Sequence, residues 1–115
     1  MWICFSNGFL SIVAHEREPD LLLVRARRPG DIESVFPDVR VIETPGRDYL
    51  FRAEISRSHV SEVIAEQVRS MWPTNFKSSV RDPELHSAYV SVWRRMAKLQ
   101  PVPPYGGRAA PARTR

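Results

Sequence analysis

A tight-turn signal near the start of the chain constrains the fold more than any other feature of the sequence. The residues Ser6-Asn7-Gly8 separate two apolar, β-favouring runs at positions 2–5 and 9–15. An Asn-Gly pair supplies the positive φ angles that a tight hairpin turn needs. The sequence therefore predicts that the chain opens with an antiparallel β-hairpin.

Strand-like alternation with a period of two continues beyond this hairpin. Residues 21–27 predict a third strand, because apolar side chains alternate there with Leu23, Arg25 and Arg27. Residues 39–44 and 49–55 predict a second hairpin around Pro45-Gly46, a pair favoured in type II turns. Four residues of its second strand are expected to face the core: Tyr49, Phe51, Ala53 and Ile55.

Capping residues and prolines mark three helical segments. A short helix is expected to begin at Asp31 and to end at Pro37. A second helix begins at Ser56 or Ser58 and ends at Pro73, and a third begins at Asp82-Pro83-Glu84. Residues 73–81 are expected to form a loop or a short helical turn. Apolar residues at helical spacing predict that each of the two longer helices has a face in the core. On the second helix this face consists of Val60, Val63, Ile64, Val68 and Met71. On the third helix it consists of Leu85, Tyr89, Val92, Met96 and Leu99, with Trp93 beside them.

The order of these elements predicts an α+β fold, with an antiparallel sheet of about five strands and two or three helices packed on one face. At 115 residues the chain is expected to form a single domain over residues 1–100. Residues 101–115 are rich in Pro, Gly and Arg and lack an apolar period, so they predict a disordered tail.

The charge distribution weakens any inference from the net charge of +4. Three of the 17 basic residues and none of the 13 acidic ones lie in 101–115, so the predicted domain carries 14 basic and 13 acidic residues. No apolar run is long enough to cross a bilayer, and the start of the chain lacks the basic region of a signal peptide. A single cysteine excludes an internal disulfide framework. We therefore expect a cytoplasmic protein without membrane association.

Catalytic and metal-binding signatures are missing from the sequence. The three histidines, His15, His59 and His86, share no motif, and no nucleophile, zinc or nucleotide signature is present. We expect no enzymatic activity, no metal and no cofactor, although side chains brought together by the tertiary fold could form a site that sequence does not reveal.

The segment between the two longer helices is the candidate for a protein-binding surface. Two large aromatic residues, Trp72 and Phe76, stand in a loop with Asn75 and Lys77. Rings in a loop either cover the core or stay exposed, and an exposed Trp beside apolar neighbours is typical of a protein interface. We predict that these four residues bind a protein partner.

Four arginines on predicted strands support an alternative function. Arg25, Arg27, Arg40 and Arg52 could share the sheet face opposite the helices and bind nucleic acid with the help of the basic tail. Exposed aromatic rings are missing from this face, because Tyr49 and Phe51 are expected to face the core. A solvated lattice of Arg and Glu, with Arg27 beside Glu54, is the competing interpretation.

The chain also resembles a family of small uncharacterised bacterial and phage proteins. Five features carry the resemblance: the start with Met1-Trp2, Gly8-Phe9, Ser11 and Val13, the strand Val24-Arg25-Ala26-Arg27, the segment Ile42–Pro45 with Asp48-Tyr49, the triplet Asn75-Phe76-Lys77, and the pair Tyr89 and Trp93. The resemblance implies no catalytic residue or cofactor. A phage or mobile-element setting would favour a protein that binds and inhibits a host or defence complex.

Overall fold

The computed structural model describes residues 1–105, which form an α+β domain around one antiparallel sheet. The strands are β1 (Trp2–Phe5), β2 (Gly8–Ala14), β3 (Leu21–Ala26), β4 (Ile42–Glu43) and β5 (Phe51–Ser56), arranged in the order β1-β2-β3-β5-β4. The helices α1 (Arg57–Arg69) and α2 (Pro83–Ala97) pack against this sheet, and a 3₁₀ turn spans Lys77–Ser79. The predicted fold class and the five-stranded antiparallel sheet are confirmed.

The first hairpin is confirmed, but its turn differs from the prediction. Phe5 pairs with Gly8, so the two-residue loop is Ser6-Asn7. Neither Asn7 nor Gly8 has a positive φ, since Tyr105, Gly30 and Gly46 are the residues among 1–105 that do. Gly8 is favoured for another reason: a Cβ atom there would lie 3.0 Å from the carboxyl of Asp31, which would have to shift. The glycine permits a close approach between the hairpin and a distant loop.

The second hairpin has the predicted turn and shorter strands. Gly46 has a φ of +86°, as a type II turn requires, and the Arg47 N–H donates to the Thr44 carbonyl over 3.3 Å. The prediction that Tyr49 faces the core is wrong. Tyr49 precedes β5, so the alternation of that strand does not extend to it, and its ring lies under Arg25 and Arg27 on the opposite face.

The main core fills the space between one sheet face, α1 and the loop after β3. Its most deeply buried side chains are those of Leu10, Val24, Ala26, Ile32 and Phe36, none of which has exposed surface. The predicted helix at residues 31–36 is wrong, because this segment forms irregular turns. The Asp31 carboxylate, the predicted cap of this helix, accepts the Phe9 N–H over 3.1 Å. Burial of the apolar side chains holds the segment in place without a regular helix.

Both longer helices begin as predicted. The Ser56 hydroxyl accepts the His59 N–H over 3.1 Å, and the Asp82 carboxylate accepts the N–H groups of Glu84 and Leu85. The sequence predicts both helices on one face of the sheet, but α1 and α2 contact different faces. Val60 of α1 joins the main core, whereas α2 packs its buried residues against Phe9. Because Phe9 alternates with the core residue Leu10 along β2, α2 contacts the opposite face of the sheet at the end of the hairpin.

The C-terminal end of the described chain contacts α2. The ring of Tyr105 stacks against Trp93 with the ring centroids 6.3 Å apart. Residues 106–115 of the predicted tail lie outside the described residues. Within residues 1–105, no helix combines the length and the apolar character that a membrane span requires.

Candidate functional site

A cavity of about 560 Å³ opens between the end of α1 and the edge strand β1. Ile3 and Phe5 of β1 and Ile64 of α1 form part of its apolar lining. The other large apolar residues around it are Val68, Met71, Trp72 and Phe76. We call this cavity and these four residues the Trp72 groove.

The four apolar residues around the groove are open to solvent. Trp72 is 75% exposed, Met71 68%, Val68 61% and Phe76 37%. The predicted core positions of Val68 and Met71 are therefore wrong. Helix α1 ends at Arg69, where the Ser70 N–H and hydroxyl both bond the Glu66 carbonyl, so Met71 and Trp72 lie beyond the helix. The cavity separates this end of the helix from β1, and among residues 1–105 no strand lies beyond β1 to cover it.

The structure brings two of the four predicted partner-binding residues together. Trp72 and Phe76 both line the groove. Asn75 instead accepts the Ser78 N–H over 3.4 Å, which stabilises the 3₁₀ turn. The ammonium of Lys77 lies 4.4 Å from the centroid of the Trp93 ring on α2, in a cation–π contact. Asn75 and Lys77 therefore shape the segment but do not line the groove.

Helix α2 buries less of its apolar stripe than its spacing predicts. Leu85 and Tyr89 are buried, whereas Val92 is 48% exposed, Met96 58% and Leu99 70%. The core assignment of the last three residues is wrong, because the buried residues of α2 lie in its first turns. A second cavity, of about 460 Å³, lies beside these turns and is lined by Trp2, Phe9, Leu85 and Val92 among others.

The sheet face opposite the main core carries a group of arginines, which we call the arginine face: Arg25, Arg27 and Arg52 around Tyr49. The register places Arg25 directly across from Arg52. Arg25 donates from Nη2 to the Ser11 hydroxyl over 2.6 Å, and Arg52 donates from Nη2 to the Asp48 carboxylate over 2.9 Å. Burial, together with repulsion from Arg47 and Arg25, lowers the pKa of Arg52 despite the nearby Asp48.

Three of the four arginines predicted to bind nucleic acid meet on this face. Arg40 is exposed in the irregular segment before β4, and within residues 1–105 no strand pairing aligns it with the other three. The expected pairing of Arg27 with Glu54 is wrong, because β3 pairs Leu23 with Glu54 and the carboxylate of Glu54 bonds His15 over 3.0 Å. Tyr49 does lie on the arginine face, but it is only 4% exposed and so offers no free ring for a base.

A buried polar junction attaches α2 to the first hairpin. The Tyr89 hydroxyl lies 2.7 Å from the Gly8 carbonyl and 3.0 Å from the Phe5 carbonyl, and burial raises its pKa far above the usual range. Nearby, Arg28 forms an ion pair of 2.6 Å with Asp82 at the start of α2. Sequence spacing does not reveal this junction, because Tyr89 and Phe5 are 84 residues apart.

The carboxyl of Asp31, close to this junction, is expected to make the stability of the fold depend on pH. Burial raises its pKa, although the Phe9 N–H and the charge of Arg28 lower it. The folded state thus binds this proton more tightly than the unfolded chain, so the contribution of Asp31 to the free energy of unfolding falls as the pH rises from about 3.8 through the raised value. The variant Asp31→Asn keeps an oxygen for Phe9 and should lose this part of the profile. Urea unfolding across this pH window tests the prediction, which parallel profiles for the two proteins would contradict.

Within residues 1–105, no group of three or more His, Cys, Asp or Glu side chains is placed to hold a metal ion. His15 bonds Glu54, and the His59 ring packs edge-on against Phe36 with the centroids 5.9 Å apart. These two histidines thus have structural contacts.

The fold and the site define a small α+β domain with an apolar groove at one edge and an arginine face on the side of the sheet opposite the core. No family model, curated protein or solved structure matches this chain. The resemblance to bacterial and phage proteins stays a prediction.

Proposed function

We propose that this protein is a non-enzymatic interaction protein that binds a protein partner through the Trp72 groove. The observation that carries the proposal is the exposure of four large apolar side chains around one cavity. Large contiguous apolar patches are rare on soluble monomers and mark interaction sites. Tryptophan is also among the residues most enriched at the energetic centres of protein interfaces.

Charge and shape around the groove favour an amphipathic, acidic segment as the ligand. Arg81 is exposed in the groove lining, and no salt bridge within residues 1–105 reaches it. Asp82 is already paired with Arg28, and Glu66 on α1 is paired with Arg69. Within the described chain, the charge left unpaired beside the groove is therefore the positive charge of Arg81. A partner helix that places apolar residues in the groove and an acidic side chain beside Arg81 fits this arrangement.

Substitution of Trp72 is expected to weaken partner binding strongly without affecting the fold. Because its side chain is 75% exposed, Trp72→Ala should change the free energy of unfolding by less than about 0.5 kcal/mol. Loss of a central interface tryptophan should weaken binding by about 30-fold or more. Affinity capture from cells of the source organism, followed by measurement of the Kd with the purified partner, tests both expectations.

Trp2→Ala is the matched control. It removes the same side chain at a residue that is 69% exposed but lines the second cavity rather than the groove. This variant should keep the partner. Equal loss of the partner from both variants would exclude the groove as the binding site, and unfolding of the Trp72 variant would show that its ring stabilises the fold. If the predicted phage or mobile-element setting holds, the captured protein is a component of a host or defence complex.

A further inference from the structure

Strands β3 and β5 place two arginines side by side on the sheet. Arg25 lies directly opposite Arg52, and Cβ atoms at such positions are about 4.5–5.5 Å apart. Like charges in this arrangement destabilise a sheet. The side chain of Arg52 is only 11% exposed, so solvent screens the repulsion poorly. The pair therefore requires compensation from nearby negative charge.

The compensation within residues 1–105 is incomplete. Asp48 is the one carboxylate in an ion pair with either arginine there, and its side chain is 67% exposed. In the described part of the chain, the side chain of Arg25 bonds only the neutral hydroxyl of Ser11. The Nε groups of Arg25 and Arg52 are both buried, and neither has a hydrogen-bond partner among residues 1–105. Buried donors without partners are rare, so these two groups add to the uncompensated positive charge of the pair.

Tyr49 holds two of the guanidinium groups in position. The Cζ atom of Arg25 lies 4.5 Å from the centroid of the buried Tyr49 ring, and the Cζ atom of Arg27 lies 4.1 Å from the same centroid. These cation–π contacts restrict the arginine side chains before any ligand arrives, which reduces the entropy lost on binding. The site is thus preorganised for an anion.

We infer that the arginine face is a phosphate-binding site in which Arg25 and Arg52 bind the phosphate oxygens and Arg27 adds a third positive charge. No hydrogen bond within residues 1–105 uses the Nη1 group of Arg25 or Arg52, so each can donate to a phosphate oxygen. Phosphate suits the pair because its several acceptor oxygens match planar guanidinium donors. The inference does not depend on the Trp72 groove, which lies at the β1 edge of the domain.

Nuclear magnetic resonance of the ¹⁵N-labelled wild-type protein tests this site directly. The arginine Nε–Hε resonances are followed at constant ionic strength during titration with inorganic phosphate, with chloride as the reference salt. A second titration uses a short oligothymidylate. The site predicts saturable shifts for Arg25 and Arg52 in at least one titration. A response to inorganic phosphate indicates a free phosphate or phosphate ester as ligand, and a response to the oligonucleotide alone indicates a nucleic acid backbone.

Two substitutions distinguish specific phosphate binding at the arginine face from general electrostatic attraction of an anion to the protein. Arg52→Gln should weaken binding of the responding probe by about tenfold or more, because it removes a charged donor of the pair. Arg94→Gln is the control, since Arg94 is exposed on α2 and has no ion pair within residues 1–105; it should leave the affinity unchanged. The absence of saturable shifts in both titrations, or equal weakening by the two substitutions, would overturn the site. The wild-type titrations decide the question even if Arg52→Gln fails to fold.

Discussion

Replacing Phe36 with alanine is expected to lower the free energy of unfolding by about 3–5 kcal/mol. The Phe36 side chain has no exposed surface and is the largest fully buried one in the core. Its removal leaves a cavity between the loop after β3, the sheet and α1, where its ring also contacts His59. Domains are commonly stable by only about 5–15 kcal/mol, so this single change should remove a large fraction of the stability.

Urea unfolding followed by circular dichroism measures this loss, with Phe76→Ala as the matched control. The control removes the same ring from a position that is 37% exposed at the Trp72 groove, so its effect should be clearly smaller. Equal losses for the two variants would contradict the assignment of the loop at residues 31–36 to the core.

Removal of the Tyr89 hydroxyl is expected to produce the second large effect on stability. Tyr89→Phe keeps the buried ring but leaves the carbonyls of Phe5 and Gly8 without this donor. Loss of hydrogen bonds at a buried site costs about 1–3 kcal/mol. Because this hydroxyl attaches α2 to the hairpin, the amide hydrogens of α2 should also exchange faster than in the wild type.

Tyr105→Phe provides the comparison for this substitution. Tyr105 is 71% exposed, so loss of its hydroxyl should change the free energy of unfolding by less than about 0.5 kcal/mol. Hydrogen exchange measured by mass spectrometry reports on α2 in both variants. Unchanged exchange in α2 of the Tyr89 variant would show that other contacts, such as the ion pair of Arg28 with Asp82, are sufficient to hold the helix.

Local features of the fold could be predicted because each depends on neighbouring residues. The caps at Ser56 and Asp82 and the turn at Pro45-Gly46 follow from side-chain and backbone preferences over a few positions. The alternation in β3 likewise predicted one apolar face, and Val24 and Ala26 on that face are buried. The helix predicted at residues 31–36 is not formed, and the Asp31 carboxylate expected to cap it accepts a distant amide, that of Phe9.

The candidate sites were predictable only in part. Trp72 and Phe76 stood out because large aromatics in a loop must be either buried or exposed, and the fold leaves Trp72 exposed. Val68 and Met71 were assigned to the core because their helical spacing does not show where the sheet beneath the helix ends. Tyr49 was assigned to the wrong face because it lies just outside the strand whose alternation it continues.

The sequence by itself determined the α+β class, the first and second hairpins and the starts of both long helices, since these depend on hydrophobic period and local hydrogen bonding. The tertiary structure alone decided that Arg25 stands opposite Arg52, that Asp31 meets Gly8 and that a groove remains beside Trp72. Strand register, close approach and the edge of a sheet are relations between residues far apart in the chain. Short-range preferences carry no information about them.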